Sequence, residues 1–281
     1  PYAEWARLGK EVLLSRGPSL LNRTDPQGTL ELRQAIAGIL ERHRGIHADP
    51  SQIVVGSGTE FLLALLLRLR DFSGTVAVEN PGYEKVRRTY RGFGVKVVPV
   101  GLDEGGLRLD GLPASGAKLV HVTPSHQFPL GGCLSIQRRV ALVEWARKMD
   151  CLVVEDDYES EFRYDVGPVS AIQRLDPGNV VYVGTFSKIL FPTIRLGYLV
   201  LPPHLVENCA AAKRMTDRYS APNPQLAMAR FMREGLLDRH IARMRKTYRH
   251  RRDALIAALE EAFPRKMYIL GLTTGLHIAA S

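Results

Sequence analysis

Apolar and polar positions along this chain follow two periods. Mainly apolar stretches at 53–55, 75–79, 95–100, 118–123, 151–154, 180–183 and 196–201 have the length and the β-branched content of strands. Helical spacing separates several of them. Leu30, Leu32, Ile36, Ile39 and Leu40 follow Thr29 and stop at Gly45, 61–69 is an apolar helix, and a helix reaching about Arg91 follows the turn Asn80-Pro81-Gly82-Tyr83. Val140, Leu142, Val143 and Trp145 mark a further helix, capped by Ser135. Pro202-Pro203 and Pro222-Asn223-Pro224 each open another, and 236–263 continues as a helix with Ile241, Met244, Tyr248, Leu255 and Leu259 on one face. Residues 1–22 show no clear period, 102–116 reads as loop, and 267–280 alternates as a strand pair would. Strands alternating with helices predict an α/β fold, a mostly parallel sheet sandwiched by helices.

Composition narrows the field. With 281 residues, 45% of them apolar and 24% charged, the chain suits an ordinary soluble globular protein of one large domain or two. The densest apolar run, 61–67, is far below the roughly 18–20 residues a membrane span needs. Arg7, Glu11 and Arg16 interrupt any signal-peptide core. Cys133, Cys151 and Cys209 are scattered without metal or redox spacing. They read as reduced thiols of a cytoplasmic protein, and no metal site is expected. The net charge of +9 invites a nucleic-acid reading, but seven cations sit in the acid-free segment 239–252. On a helix of this pattern they are expected to form a solvated face, with direct DNA contact as the alternative.

The chemistry concentrates at 179–201, NVVYVGTFSKILFPTIRLGYLVL. Between two strand runs lies Gly184-Thr185-Phe186-Ser187-Lys188, and Arg195 follows seven residues after the lysine. A lysine buried at a strand end is costly to hold as a cation, so its amine becomes nucleophilic. Hydroxyls at Thr185 and Ser187 with a nearby guanidinium suit a phosphate. An amine ready for a Schiff base beside a phosphate cradle points to pyridoxal phosphate; an ordinary surface lysine is the alternative. The turn Gly56-Ser57-Gly58-Thr59-Glu60 feeds a helix N-terminus, a second anion site. Residues 57–59, Tyr83, His126, Asp156, Tyr158 and Lys188 all fall at the C-terminal ends of expected strands, where open α/β sheets bind ligands.

With these pieces placed, the sequence resembles the pyridoxal-phosphate domain of the MocR family, regulators that join a GntR-type winged helix to a fold type I, aspartate aminotransferase-like domain. The resemblance runs from about Asp25 to the end, through DPQGTLELRQAIA, VENPGY, VTPSHQFPLGG, VEDDYESEFRY, YVGTFSK, RLGY and RHIARMRKTYRHRR. It implies that Lys188 forms the internal aldimine and that Asp156 keeps the pyridine nitrogen protonated. Tyr158 would bond the phenolic oxygen and Tyr83 would stack on the ring. Ser57, Gly58, Thr59, Thr185, Ser187 and Arg195 would hold the phosphate. Alternatives stay open at four positions. Asp157 could face the ring instead of Asp156, since neighbouring strand residues point to opposite faces; Tyr83 could only pack a helix start; Ser187 could only cap its turn. Phe128 stands where aminotransferases carry an asparagine, so His126 or Gln127 is expected to reach the cofactor.

The resemblance also implies a domain plan: an N-terminal arm and helix at 1–44, a large cofactor-binding domain at 45–235, and at 236–281 an interdomain helix and the start of an incomplete C-terminal small subdomain. In the family, the arginine that grips an amino-acid carboxylate lies beyond this last segment, so no arginine here takes that role by motif, and the chain is expected to be a fragment or a shortened relative. The expected function is an effector-sensing domain of a transcriptional regulator that forms an external aldimine with an amine or amino acid. A homodimer is implied, with DNA reached only through a winged helix outside this chain. The alternative is a working aminotransferase, weak in this fragment, in which the Lys188 amine shuttles the α-proton.

Overall fold

The computed structural model describes all residues except 23, 70–73, 165, 166, 168, 217–219, 264–266 and 281. Its frame is an eight-stranded sheet of β1 (Ile53–Gly56), β2 (Thr75–Asn80), β3 (Lys96–Asp103), β4 (Gly106–Leu107), β5 (Ala117–Val122), β6 (Leu152–Asp157), β7 (Val180–Thr185) and β8 (Gly197–Val200), in the order β1-β8-β7-β6-β5-β2-β3-β4. β3, β2, β5, β6 and β7 run parallel, whereas β8 is antiparallel to both its neighbours. The central parallel strands β2, β5, β6 and β7 are covered on both faces, which is why they read as mainly apolar stretches rather than alternating ones, whereas β3 near the sheet edge is largely exposed.

The period of two sorts the strand residues onto two faces. Leu152, Val154, Val181 and Val183 join Leu62, Leu66 and Tyr90 of helices α3 (Thr59–Arg68) and α4 (Glu84–Gly92) in one core. On the other face, Val153, Val120 and Val180 pack with Leu142 and Val143 of α6 (Ile136–Lys148), while Val55, Tyr182 and Val200 meet α2 (Leu30–Arg44) and α8 (Pro222–Arg233). Short α5 (Leu112–Ser115), α7 (Val206–Thr216) and α9 (Leu236–Ala262) complete the helices, and β9 (Ile269–Leu270) pairs with β10 (Ala279–Ala280) as the alternation at 267–280 predicts.

Three expectations need correction. Residues 1–22 are not irregular: α1 spans Tyr2–Arg16. Its buried stripe is narrow, Leu8 and Val12 with Trp5 beside Phe231, and exposed Tyr2, Leu13 and Leu14 blur the period. The loop expected at 102–116 contains the β3–β4 hairpin and α5. Nor is the acid-free stretch of α9 simply a solvated face. Arg245, Arg249 and Arg252 donate to the carbonyls of Glu161, Tyr164 and Leu272, and the Arg252 guanidinium also lies 4.7 Å from the centre of the Tyr164 ring. These cations fasten α9 to two loops.

One buried charge organises the opposite face. Arg44, the last residue of α2, meets Asp157 at 2.8 Å and Glu155 at 3.6 Å, and donates to Ser125 Oγ at 2.9 Å and the Val169 carbonyl at 2.8 Å. Removing one partner of such a buried set strands the others without compensation. Arg44→Ala is therefore expected to cost about 3–5 kcal/mol, read as a lower urea midpoint; an unchanged midpoint would show the network to be energetically neutral.

Candidate functional site

The parallel strands deliver their C-terminal ends to one edge, and register brings β1 there too: Gly56 pairs with Gly197, which pairs with Thr185 at the end of β7. Asp156 and Asp157 end β6 on opposite faces. The Asp157 carboxylate receives the Tyr182 hydroxyl at 2.6 Å as well as Arg44. Asp156 turns to the α3/α4 face, where its Oδ2 lies 3.4 Å from His121 Nε2. His121 sits opposite Val154 on β5, hence diagonal to Asp156. Its Nδ1 is 2.9 Å from the Tyr90 hydroxyl. Burial, and then the Asp156 charge, push the Tyr90 pKa well above its ordinary value, so the phenol donates to Nδ1 and the remaining ring proton faces Asp156.

Beyond β7 the chain turns tightly, with the Ser187 N–H donating to Thr185 Oγ1 at 3.2 Å. Phe186 and Ile189 enter the core and Lys188 turns outward. Its side chain is 51% exposed, so the buried amine expected from the strand-end position is not what the fold provides. The amine lies 3.3 Å from Glu159 Oε1. Glu159 is itself buried, and its other oxygen accepts the Leu276 N–H at 2.8 Å. Burial opposes its charge, yet the His277 ring, this N–H and Lys188 together hold its pKa below the ordinary carboxylate value. Behind the turn, His240 of α9 donates from Nε2 to the Ile189 carbonyl at 2.8 Å, while Nδ1 accepts from Arg243 at 3.2 Å.

The 57–59 turn and Arg195 come together closely. Gly58 has φ +112°, and a Cβ there would lie 2.6 Å from Arg195 Nη2. Only glycine permits both the backbone and the contact. The guanidinium thus lies against Gly58, the residue that precedes the first turn of α3, with Ser57 and Thr59 as that glycine's neighbours in the chain. Glu60 partly balances the charge, 3.5 Å from Arg195 and paired with Lys85.

Tyr83 immediately precedes α4 and is 48% exposed, with its ring edge-on to Phe128 at 5.1 Å. The Tyr158 hydroxyl donates to the His126 carbonyl at 2.8 Å, and burial, then the Glu159 charge, raise its pKa. The His126 ring, assigned to the cofactor from sequence, lies buried with Nδ1 3.0 Å from Thr274 Oγ1 and Nε2 3.1 Å from His277 Nδ1. Burial, then His277, bring its pKa down to about 4. Gln127 closes its own loop, donating to the Pro81 carbonyl at 2.9 Å and accepting from Leu130 N–H at 3.1 Å.

The family described as Aminotransferase class I and II matches residues 1–276. The chain belongs to that family. Its fold likeness is close: a multiple substrate aminotransferase from Thermococcus profundus superposes with a TM-score of 0.90 at 29% identity, covering 100% of this chain and 72% of that one. In sequence it is similar to regulators of the MocR type. It is 36% identical over 279 residues to the uncharacterized HTH-type transcriptional regulator YhdI of Bacillus subtilis, covering 99% of this chain and 60% of that protein. It is also 35% identical over 259 residues to the probable rhizopine catabolism regulatory protein MocR of Rhizobium meliloti, covering 92% of this chain and 52% of the relative. The chain thus spans about half to three-fifths of these two regulators' length.

Sequence reading missed Glu159, His121, Tyr90, His240 and His277. His121 was legible in principle, because a histidine inside an apolar strand run calls for a partner; the others depend on contacts far apart in sequence.

Burial lowers the His240 pKa below its ordinary 6.5. Below that pH the unfolded chain takes up a proton that the folded one resists, so His240 makes stability fall on acidification. His240→Ala is expected to lower stability by about 1–3 kcal/mol near neutrality, through the stranded Ile189 carbonyl, and to give a shallower loss below pH 6.5. Urea titrations at several pH values check both; parallel curves for the two proteins would refute the assignment.

Proposed function

We propose that this chain is the pyridoxal-phosphate-binding, effector-sensing part of a MocR/GntR-type transcriptional regulator. The observation that carries the reading is the Gly58–Arg195 contact, a cationic cradle at a helix start that a side chain would fill, on the strand-end edge that also presents Lys188 and Asp156. The residues fit the group. Arg195, Ser57, Thr59, Thr185 and Ser187 would hold the phosphate, Tyr83 offers an exposed ring to stack, and Asp156 offers a carboxylate for the pyridine nitrogen. When bound, pyridoxal phosphate supplies an aldehyde for a primary amine and a ring that withdraws electrons.

The chain's own residues supply position and protons. Lys188 presents its amine at the edge, where Glu159 Oε1, 3.3 Å away, pairs with the ammonium and orients it. His121, backed by Tyr90, keeps Asp156 oriented. Tyr158 is held by the His126 carbonyl, with its phenol protonated. An amine or amino acid that competes for the aldehyde would shift the domain between two states and so bias an attached winged helix. Operator contact belongs to that winged helix, outside these residues. The half-exposed Lys188 and Tyr83 support a homodimer in which a second copy covers the edge. Cytoplasmic residence accords with three free cysteines, and no helix among the described residues is long and apolar enough to cross a membrane.

Added pyridoxal phosphate is expected to give a yellow absorbance band, and borohydride followed by peptide mass mapping to place the label on Lys188. Gly58→Ala is expected to weaken binding at least about tenfold by displacing Arg195. No band, or a label on another lysine, would overturn the reading. A working aminotransferase is the second reading, favoured by likeness to a Pyrococcus horikoshii kynurenine aminotransferase at 30% identity and a TM-score of 0.90. Amino acids that convert the bound cofactor to its amine form would support it.

A further inference from the structure

Three side chains from distant parts of the chain converge beside the lysine turn. His126 follows β5, Glu159 follows β6, and His277 lies in the segment before β10. His126 Nε2 and His277 Nδ1 are 3.1 Å apart, and each is 3.8 Å from the same Glu159 oxygen, Oε2. His126 and Glu159 are almost wholly buried, and the side chain of His277 is 26% exposed.

Hydrogen bonding fixes the lone pairs. Thr274 Oγ1 donates to the Ser125 carbonyl at 3.2 Å, so it accepts from His126 Nδ1 at 3.0 Å. That leaves His126 Nε2 bare and aimed at the other two groups. Glu159 Oε2 is anchored by the Leu276 N–H. One imidazole proton, on His277 Nδ1, then has to serve two acceptors. A cation serves all three groups at once. Ligands about 2.0–2.1 Å from a tetrahedral zinc ion stand roughly 3.3–3.5 Å from one another, and 3.1, 3.8 and 3.8 Å bracket that range.

We propose that His126, Glu159 and His277 form a divalent transition-metal site for zinc-like ions, with water in the fourth position. Two imidazoles and one carboxylate select Zn²⁺ or Co²⁺ over Mg²⁺ and Ca²⁺, and Thr274 is the outer partner that orients a ligating histidine. The ion clamps the loop after β5, the turn after β6 and the 274–277 segment to one another. Spacing in the sequence could not show the site, because the ligands are 33 and 118 residues apart. The site does not depend on pyridoxal phosphate.

Cobalt titration of the chain without added aldehyde tests it. Expected are visible absorption bands of tetrahedral Co²⁺ saturating at one equivalent, quenched by Zn²⁺, untouched by Mg²⁺, and retained in Lys188→Ala. His277→Gln and Glu159→Gln are each expected to weaken Co²⁺ binding at least about tenfold, and Zn²⁺ to raise the melting temperature of the parent chain but not of His277→Gln. Circular dichroism establishes that the variants are folded. Absence of the bands, their persistence in folded His277→Gln, or their loss in Cys133→Ser, whose sulfur lies 3.6 Å from Thr274 Oγ1, would overturn the proposal.

Discussion

Three consecutive carboxylates, Glu155, Asp156 and Asp157, end a strand whose every residue is buried. Isolated negative charges at such a place would be prohibitive, and the architecture around β6 is arranged to divide them. Arg44 reaches in from the end of α2 to meet the first and third, and Tyr182 adds a hydroxyl to the third. The second faces the other side of the sheet. Because its neighbours are already neutralised, Asp156 is the carboxylate that remains on the face where the strand ends assemble a site. The strand's period of two thus leaves the two alternatives weighed from sequence, Asp156 and Asp157, on opposite faces with different partners.

Burial of Glu155 raises its pKa despite the nearby Arg44, which shows how closely desolvation and pairing are matched there. Glu159 is a contrast. It too is buried, yet the His277 ring, a backbone N–H and the lysine amine keep its pKa low. Within five residues, the same side-chain chemistry is therefore used in two ways: as a structural counter-ion behind the sheet, and as an acceptor at its edge.

Much of this was legible in the residues. Mainly apolar stretches marked the parallel strands, and glycine, proline and serine marked the turns that carry Ser57, Tyr83 and Lys188. The alternation of strands and helices put candidate groups at strand ends, and register brings those ends to one edge. What stayed hidden depends on long-range contact. The helix at the N-terminus has too narrow a buried stripe to announce itself. His126 looked like a ligand-facing group because of its position after β5, but its ring orientation is set by Thr274, 148 residues away. The outward turn of Lys188 depends on Phe186 and Ile189 both finding core space, which a period count cannot reveal.

The 27-residue helix α9 has a mechanical consequence. At one end His240 grips the carbonyl next to the lysine. Further along, successive arginines grip the carbonyls of the stretch that leaves β6. Such a rod cannot roll about its axis without pulling on both loops together. Its basic face thus makes it a transmission shaft, by which displacement at either loop is felt at the other.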